Sequence, residues 1–265
     1  MTTNASLGRE TVRHGISMVL RNWRQALAVS VGPALIGIAC LFGLQFATGV
    51  DVFGLMTYSP GPEEVPSFEE LLTALIIFVV FIFISAWTAV SWHRFVLLEE
   101  YPGLLPRIPQ NELAGYMWKT IVVSAMLVLI LVPVSAVIGI MMMGLVFLPS
   151  IIVGTLGGFA ITLVVMWLSL RFGLVLPAAS VGAKMGVFQA WRATNPVSGQ
   201  IFVIAVIVTL LNVVLSLIVS VFDGISPMLS FGLNIGVLWF STLLGLCLLT
   251  TLYGVLVEGR ELPAH

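Results

Sequence analysis

Five stretches of the sequence carry no Asp, Glu, Lys or Arg: Gln25–Val50, Leu71–Trp92, Ile121–Leu170, Ala193–Phe222 and Gly224–Val257. A helix needs about 20 mostly apolar residues to cross a hydrocarbon layer of roughly 30 Å. Backbone amides inside lipid have no water to bond, so such runs must become helices that satisfy their own N–H and C=O groups. Ile121–Leu170 is too long for one crossing, and MMMGLVFLPS sits in its middle, where Gly144 and Pro149 mark a turn. The last run opens with GISP, which puts the start of its helix near Leu229. Six spans follow, at about 26–48, 71–95, 120–141, 151–175, 199–222 and 229–257, with an amphipathic helix at about 9–24 before the first.

Composition agrees. Charged residues are 9% of the 265, hydrophobic residues 59%, and mean hydropathy is +1.13. A soluble domain carries about a quarter of its residues as charges, so lipid is the main solvent here and one membrane domain, 1–265, is expected. Cys40 and Cys247 lie inside apolar runs and offer neither a disulfide framework nor a metal-ligand spacing.

The second span is the clearest. Thirteen of the residues from Leu71 to Trp92 are Leu, Ile, Phe or Val; on an insertion scale they favour the membrane by about 4 to 8 kcal/mol at most. SFEE at 67–70 reads as a capping box, with Glu69 and Glu70 at the positive end of the helix dipole.

Charge orients the bundle. All 11 basic residues fall on one side of the six-span arrangement: Arg9, Arg13, Arg21 and Arg24; Arg94, Arg107 and Lys119; Arg171, Lys184 and Arg192; and Arg260. The other side receives Asp51, Glu63, Glu64, Glu69, Glu70 and Asp223. The positive-inside rule puts both termini in the cytoplasm. The N-terminal segment reads as retained, because the run after it is too long for a signal h-region and no small-residue cleavage site closes it. Val12, Ile16, Val19, Leu20 and Trp23 share one helical face there, opposite Arg9, Arg13, Arg21 and Arg24. Such a helix either lies on the anionic inner leaflet or caps the bundle.

The ends of the spans repeat. HRFVLLEE ends span two, LRFGLVLPA ends span four and LYGVLVEGR ends span six, aligning Arg94-Phe95 with Arg171-Phe172 and both phenylalanines with Tyr253. NWRQ, MWKT and AWRA put a tryptophan beside a base ahead of spans one, three and five. The expected fold is therefore an all-α polytopic bundle of six transmembrane helices, built as three parallel paired-helix repeats with amphipathic surface helices. Trp23, Trp92, Trp118 and Trp191 are expected at the inner interface, as is His93.

Catalytic chemistry is sparse. His14, His93 and His265 have no partners at zinc spacing, and His93 with Glu99 and Glu100 is the one stray ligand set. No GxSxG, HExxH, P-loop or GxGxxG occurs. No enzyme, metal or cofactor is expected. No ionisable group falls near the middle of a span, and the polar residues there, such as Ser85, Ser241 and Thr242, suit interhelical hydrogen bonds. Asn212 and Asn234 could alternatively line a polar path. Gly154-x-x-x-Gly158 and Gly232-x-x-x-Gly236 are expected to pack inside the bundle. The acidic, proline-rich loop Asp51–Glu70 is a solvated connector or a docking site for a protein partner. Arg94 and Arg171, beside aromatics at the inner leaflet, are the candidate lipid-phosphate contacts, with snorkelling to headgroups as the alternative.

Two resemblances bear on these residues. The three two-span units resemble mitochondrial carriers in number, but the P-x-[DE]-x-x-[KR] signature is absent from the odd spans. WHRFVLLEE, RFGLVLPAASVGAKMGVFQAWRAT and the helix before span one are similar to uncharacterised bacterial six-pass proteins related to the membrane domain of glycerophosphodiester phosphodiesterases. The resemblance implies an inner-membrane protein connected with phospholipid or envelope upkeep. It does not carry over the phosphodiesterase activity, which belongs to a separate catalytic domain. The expected function is non-enzymatic binding of membrane lipids or a partner protein, with no nucleic acid; a small-molecule or lipid transporter is the alternative.

Overall fold

The computed structural model describes residues 4–57, 66–103, 105–145 and 147–261. Glu63, Glu64, His265 and part of the Asp51–Glu70 loop lie outside the described residues. The chain is an all-α membrane bundle whose helices are α1 (Asn4–Arg21), α2 (Trp23–Thr48), α3 (Val52–Thr57), α4 (Phe68–Leu98), α5 (Gln110–Met143), α6 (Ser150–Phe172), α7 (Val175–Ser180), α8 (Val187–Thr194), α9 (Ser198–Asp223) and α10 (Pro227–Leu256). Six of them, α2, α4, α5, α6, α9 and α10, are long and apolar enough to cross a bilayer.

The helix ends follow from local chemistry. Ser67 accepts from Glu70 N and Glu70 Oε2 accepts from Ser67 N, closing the capping box that starts α4. Ser226 caps α10 with Pro227 in its first turn, so that helix starts ahead of Leu229. The α5–α6 turn runs through Gly144 and Pro149, as the sequence predicts. At 34 residues α5 measures about 51 Å, longer than a hydrocarbon core of roughly 30 Å, so it extends beyond the apolar layer.

Neighbouring helices pack in pairs, α2 on α4, α5 on α6 and α9 on α10, and further contacts join α6 to α9, α10 to α4 and α4 to α5. Separate short helices precede α2 and α9, but α5 rises directly from the loop after α4. Asn22 interrupts the first junction and Asn195-Pro196 the third, whereas no proline falls between Pro109 and Pro133 to break the second.

The N-terminal helix differs from its expected face. Val12 and Val19 are buried, but Leu20 and Trp23 are exposed. The helix breaks at Asn22, so Trp23 belongs to α2, and the buried stripe runs instead through Gly8, Thr11, Val12, Gly15 and Val19. A Cβ on Gly8 would lie 3.0 Å from Val203, and one on Gly15 3.2 Å from Leu244. These glycines let α1 sit close against α9 and α10, so it caps the bundle. By contrast, among the described residues nothing lies within 4 Å of a Cβ built on Gly154, Gly158, Gly232 or Gly236. The two GxxxG spacings therefore make no close contact within the chain, correcting the packing role expected of them. Their helices present these faces outward, where lipid needs no complementary groove.

The core is concentrated in the half of the bundle that carries the basic residues. Val90, Trp92, Ile201, Ile204, Leu244 and Leu248 are fully buried there. Large apolar side chains of the other half, such as Phe46, Phe81, Leu129, Met143 and Phe231, are exposed along the spans. Lipid tails are as apolar as these side chains, so no hydrophobic penalty attaches to leaving them outside.

Span four ends differently from its expected extent, 151–175. It stops at Phe172, turns at Gly173, and re-forms as α7, whose residues Val175, Pro177, Ala178, Ala179 and Ser180 are buried. This short helix packs against α4, α5 and α10 at the basic end. A Cβ on Gly173 would crowd the backbone at Ser169 O and approach Leu249 Cδ2 to 2.8 Å, so glycine is needed where the chain turns against α10.

Candidate functional site

The basic end is where the chain brings its polar chemistry together. Glu99, the C-cap of α4, adopts φ +56°, the one positive φ among the described non-glycine residues. That left-handed step turns Glu100 back onto the last turn of α4. Arg94 Nε and Nη2 then donate to the two oxygens of Glu100 at 2.8 and 2.6 Å. Its Nη1 donates to Ser180 O at 3.1 Å and lies 3.7 Å from Glu112 Oε1. One guanidinium thus joins α4, the end of α7 and the start of α5. The Arg94 hydrogen bond holds the Glu100 carboxyl below its usual range, with the Arg94 and Arg107 charges adding to the effect. Trp87 Nε1 donates to Pro106 O at 3.2 Å and pins the loop after α4 to the bundle.

Two clefts open here, each of about 750 Å³. The first is lined by Arg94, Glu100, Tyr101, Arg107 and the start of α5. The second lies between α5 and the turn joining α7 to α8, and shares Asn111 and Glu112 with the first. Sequence reading missed both clefts: the first is shaped within one connection, 91–112, by the left-handed turn at Glu99, and the second joins the start of α5 to the turn after α7.

Arg171, aligned with Arg94 in sequence, has a different environment. It is 3% exposed and its guanidinium stacks on Trp191 at 3.3 Å, with Trp167 at 5.2 Å. Nε donates to Thr194 Oγ1, and Nη2 to Trp191 O and Asn195 Oδ1, at 3.3 to 3.4 Å. No carboxylate pairs with it among the described residues. Aromatic faces and neutral acceptors hold this cation instead. The two candidate lipid contacts are therefore both engaged by the protein: Arg94 by carboxylates and a carbonyl, Arg171 by an aromatic clamp joining α6 to α8.

His93 is fully buried rather than interfacial. Its Nδ1 lies 2.7 Å from Thr250 Oγ1, and its ring 5.9 Å from that of Tyr116, where α4, α5 and α10 meet. Thr250 Oγ1 donates its one proton to Leu246 O, so the network assigns Nδ1–H as the donor to Thr250 and leaves Nε2 a buried acceptor without a partner among the described residues. Glu100 is committed to Arg94, and among the described residues no group of three or more His, Cys, Asp or Glu could hold a metal. Trp92 also departs from the interface and sits in the core beside Phe95, since the basic end of α4 is covered by its neighbours. Trp23 and Trp118 are exposed.

Asn212 Oδ1 accepts from Ser241 Oγ across the α9–α10 contact, and its Nδ2 donates to Val208 O. Asn234 Nδ2 donates to Ser230 O, whose own hydroxyl bonds Asp223. These bonds join α9 to α10 and secure the side chains along them.

No protein-family model matches the chain, and neither the curated proteins nor the solved structures yield a match.

Proposed function

We propose that this integral membrane protein is a non-enzymatic binder of anionic phospholipid, set in a bacterial inner membrane with its basic end and both termini in the cytoplasm. The observation that carries the reading is the pair of neighbouring clefts at the basic end, each about 750 Å³ and both lined by Asn111 and Glu112. Their setting is amphipathic: the first is bordered by exposed Tyr101, Leu105 and Ile108 as well as by charge. The excess of basic residues on this side favours an anionic headgroup. A role in envelope upkeep follows from the resemblance of WHRFVLLEE and RFGLVLPAASVGAKMGVFQAWRAT to six-pass proteins of that kind.

Native mass spectrometry of the full chain in mild detergent tests the proposal. Anionic phospholipid retained above its share of the surrounding membrane supports it. A retained profile matching the bulk membrane overturns it.

Transport is the second reading. The placement of α7 between α4, α5 and α10 would serve as an inner closure in such a protein. The bonds holding Asn212 and Asn234 weigh against a polar path through those amides. Lipid or solute flux in proteoliposomes separates transport from binding alone.

A further inference from the structure

We infer that the second cleft is a phosphate-recognition site in which Lys119 and Lys184 hold the headgroup phosphate of an anionic glycerophospholipid. This rests on the lipid-binding reading above and assigns its headgroup contact to residues other than Arg94 and Arg171. Lys119 comes from the third turn of α5, and Lys184 from the turn between α7 and α8. The two lysines are distant in sequence and line one cavity of about 750 Å³.

The turn chemistry explains how Lys184 reaches that position. Gly182 follows α7 at φ +76°, and Ala183 N donates to Ala178 O at 2.9 Å, closing the helix end. A left-handed residue is required there, and glycine adopts it without a Cβ penalty. The chain then reverses to present Lys184 toward α5 before α8 begins.

The charges leave this cleft suited to an anion. No ion pair involves Lys119 or Lys184 among the described residues. Glu112 is the carboxylate among the cleft's described lining residues, and it is drawn to Arg94, 3.7 Å away. Asn111 and Gln189 add side-chain amides to the wall, although Gln189 Oε1 is occupied by Gly186 N at 2.8 Å. Two lysines and neighbouring amides can recognise a phosphate oxygen set through point charge and hydrogen bonds.

The surroundings favour a lipid as the source of that phosphate. Trp118, beside Lys119, is 63% exposed, and Phe188, beside Gln189, is 74% exposed. Exposed rings flanking two of the cleft's lining residues, one of them a cation, suit an amphiphile with its phosphate in the cleft and its chains along the bundle. A soluble phosphoester offers the same headgroup chemistry without those chains.

The test uses native mass spectrometry of the full chain in mild detergent, titrated with phosphatidylglycerol or phosphatidylcholine. The variants are Lys119→Ala/Lys184→Ala and Lys119→Arg/Lys184→Arg. Each cation near an anionic headgroup contributes about a five-fold change in affinity, so removing both predicts roughly thirty-fold weaker phosphatidylglycerol binding. The arginine pair should retain most of the affinity, and both variants should keep the wild-type thermal transition. Equal phosphatidylglycerol binding by wild type and a folded alanine pair overturns this site while leaving the lipid-binding reading intact. Failure of wild type to prefer phosphatidylglycerol over phosphatidylcholine overturns both. If the alanine pair unfolds, loss of binding by the folded arginine pair also counts against a site built on cationic charge. Displacement of phosphatidylglycerol by glycerol phosphate at matched concentration supports the phosphate site but assigns its occupant to a soluble source.

Discussion

Arg94 holds both carboxylate oxygens of Glu100 across the left-handed turn at Glu99, and the same guanidinium reaches the end of α7 through Ser180 O. The basic end of α4 is thereby fastened to the short helix between the spans.

Glu100→Gln should lower stability by about 1 kcal/mol, because the bidentate pair is only partly shielded from water. Arg94 holds the folded-state Glu100 pKa below its usual value. The contribution is therefore present above the unfolded carboxylate range and lost as pH falls through the lowered folded value. Thermal unfolding in detergent from pH 7 to pH 3 should show wild type and variant converging on the acid side. A difference that persists unchanged at low pH would contradict the ion-pair account.

Arg171→Ala should destabilise by about 3 kcal/mol through loss of a desolvated cation–π contact and its hydrogen bonds. Arg171→Lys should recover only part of this, since an ammonium lacks the planar fork that stacks on Trp191. Thermal unfolding of both variants, measured alongside retained phospholipid, checks the assignment. Loss of lipid without loss of stability would indicate a headgroup contact instead of a structural clamp.

Gly173→Ala should cost about 1 to 3 kcal/mol, because the added methyl meets Ser169 O as well as Leu249 where α6 gives way to α7. Gly154→Ala, at a position open within the chain, should be neutral or slightly favourable to its helix. Comparing their melting temperatures tests whether the turn at Gly173 fixes the basic end of the bundle. Equal melting temperatures would contradict that role.

Thr250→Val should cost about 1 to 3 kcal/mol by leaving the His93 Nδ1–H without its buried acceptor. A Thr250→Ser variant should recover most of the loss. A Thr250→Val variant as stable as wild type would contradict the hydrogen-bond assignment, because valine keeps the threonine methyl and lacks only the hydroxyl.

The six spans were legible because a bilayer requires long helical apolar runs. The capping box at Ser67 and the turn through Gly144 and Pro149 were legible for local reasons: a hydroxyl meets free amides, and glycine and proline interrupt the apolar pattern. Helix α7 was hidden because VLPAAS in a protein core and VLPAAS at the end of a membrane span have the same composition. Arg94 and Arg171 also look alike in sequence, each followed by phenylalanine. Their different surroundings depend on a reversed loop after α4 and on the approach of Trp191 from α8, neither encoded by the local motif. His93 followed the same pattern: its position at a span end predicted an interface, but α5 and α10 bury it.

Photo-crosslinking tests the location of lipid binding most directly. The full chain would be reconstituted with phosphatidylglycerol carrying a photoreactive headgroup, irradiated, and its labelled peptides identified. The account predicts labelling concentrated at 99–119 and 180–189, around the two clefts. Uniform labelling of the membrane belt, or labelling concentrated at the acidic end, would contradict it.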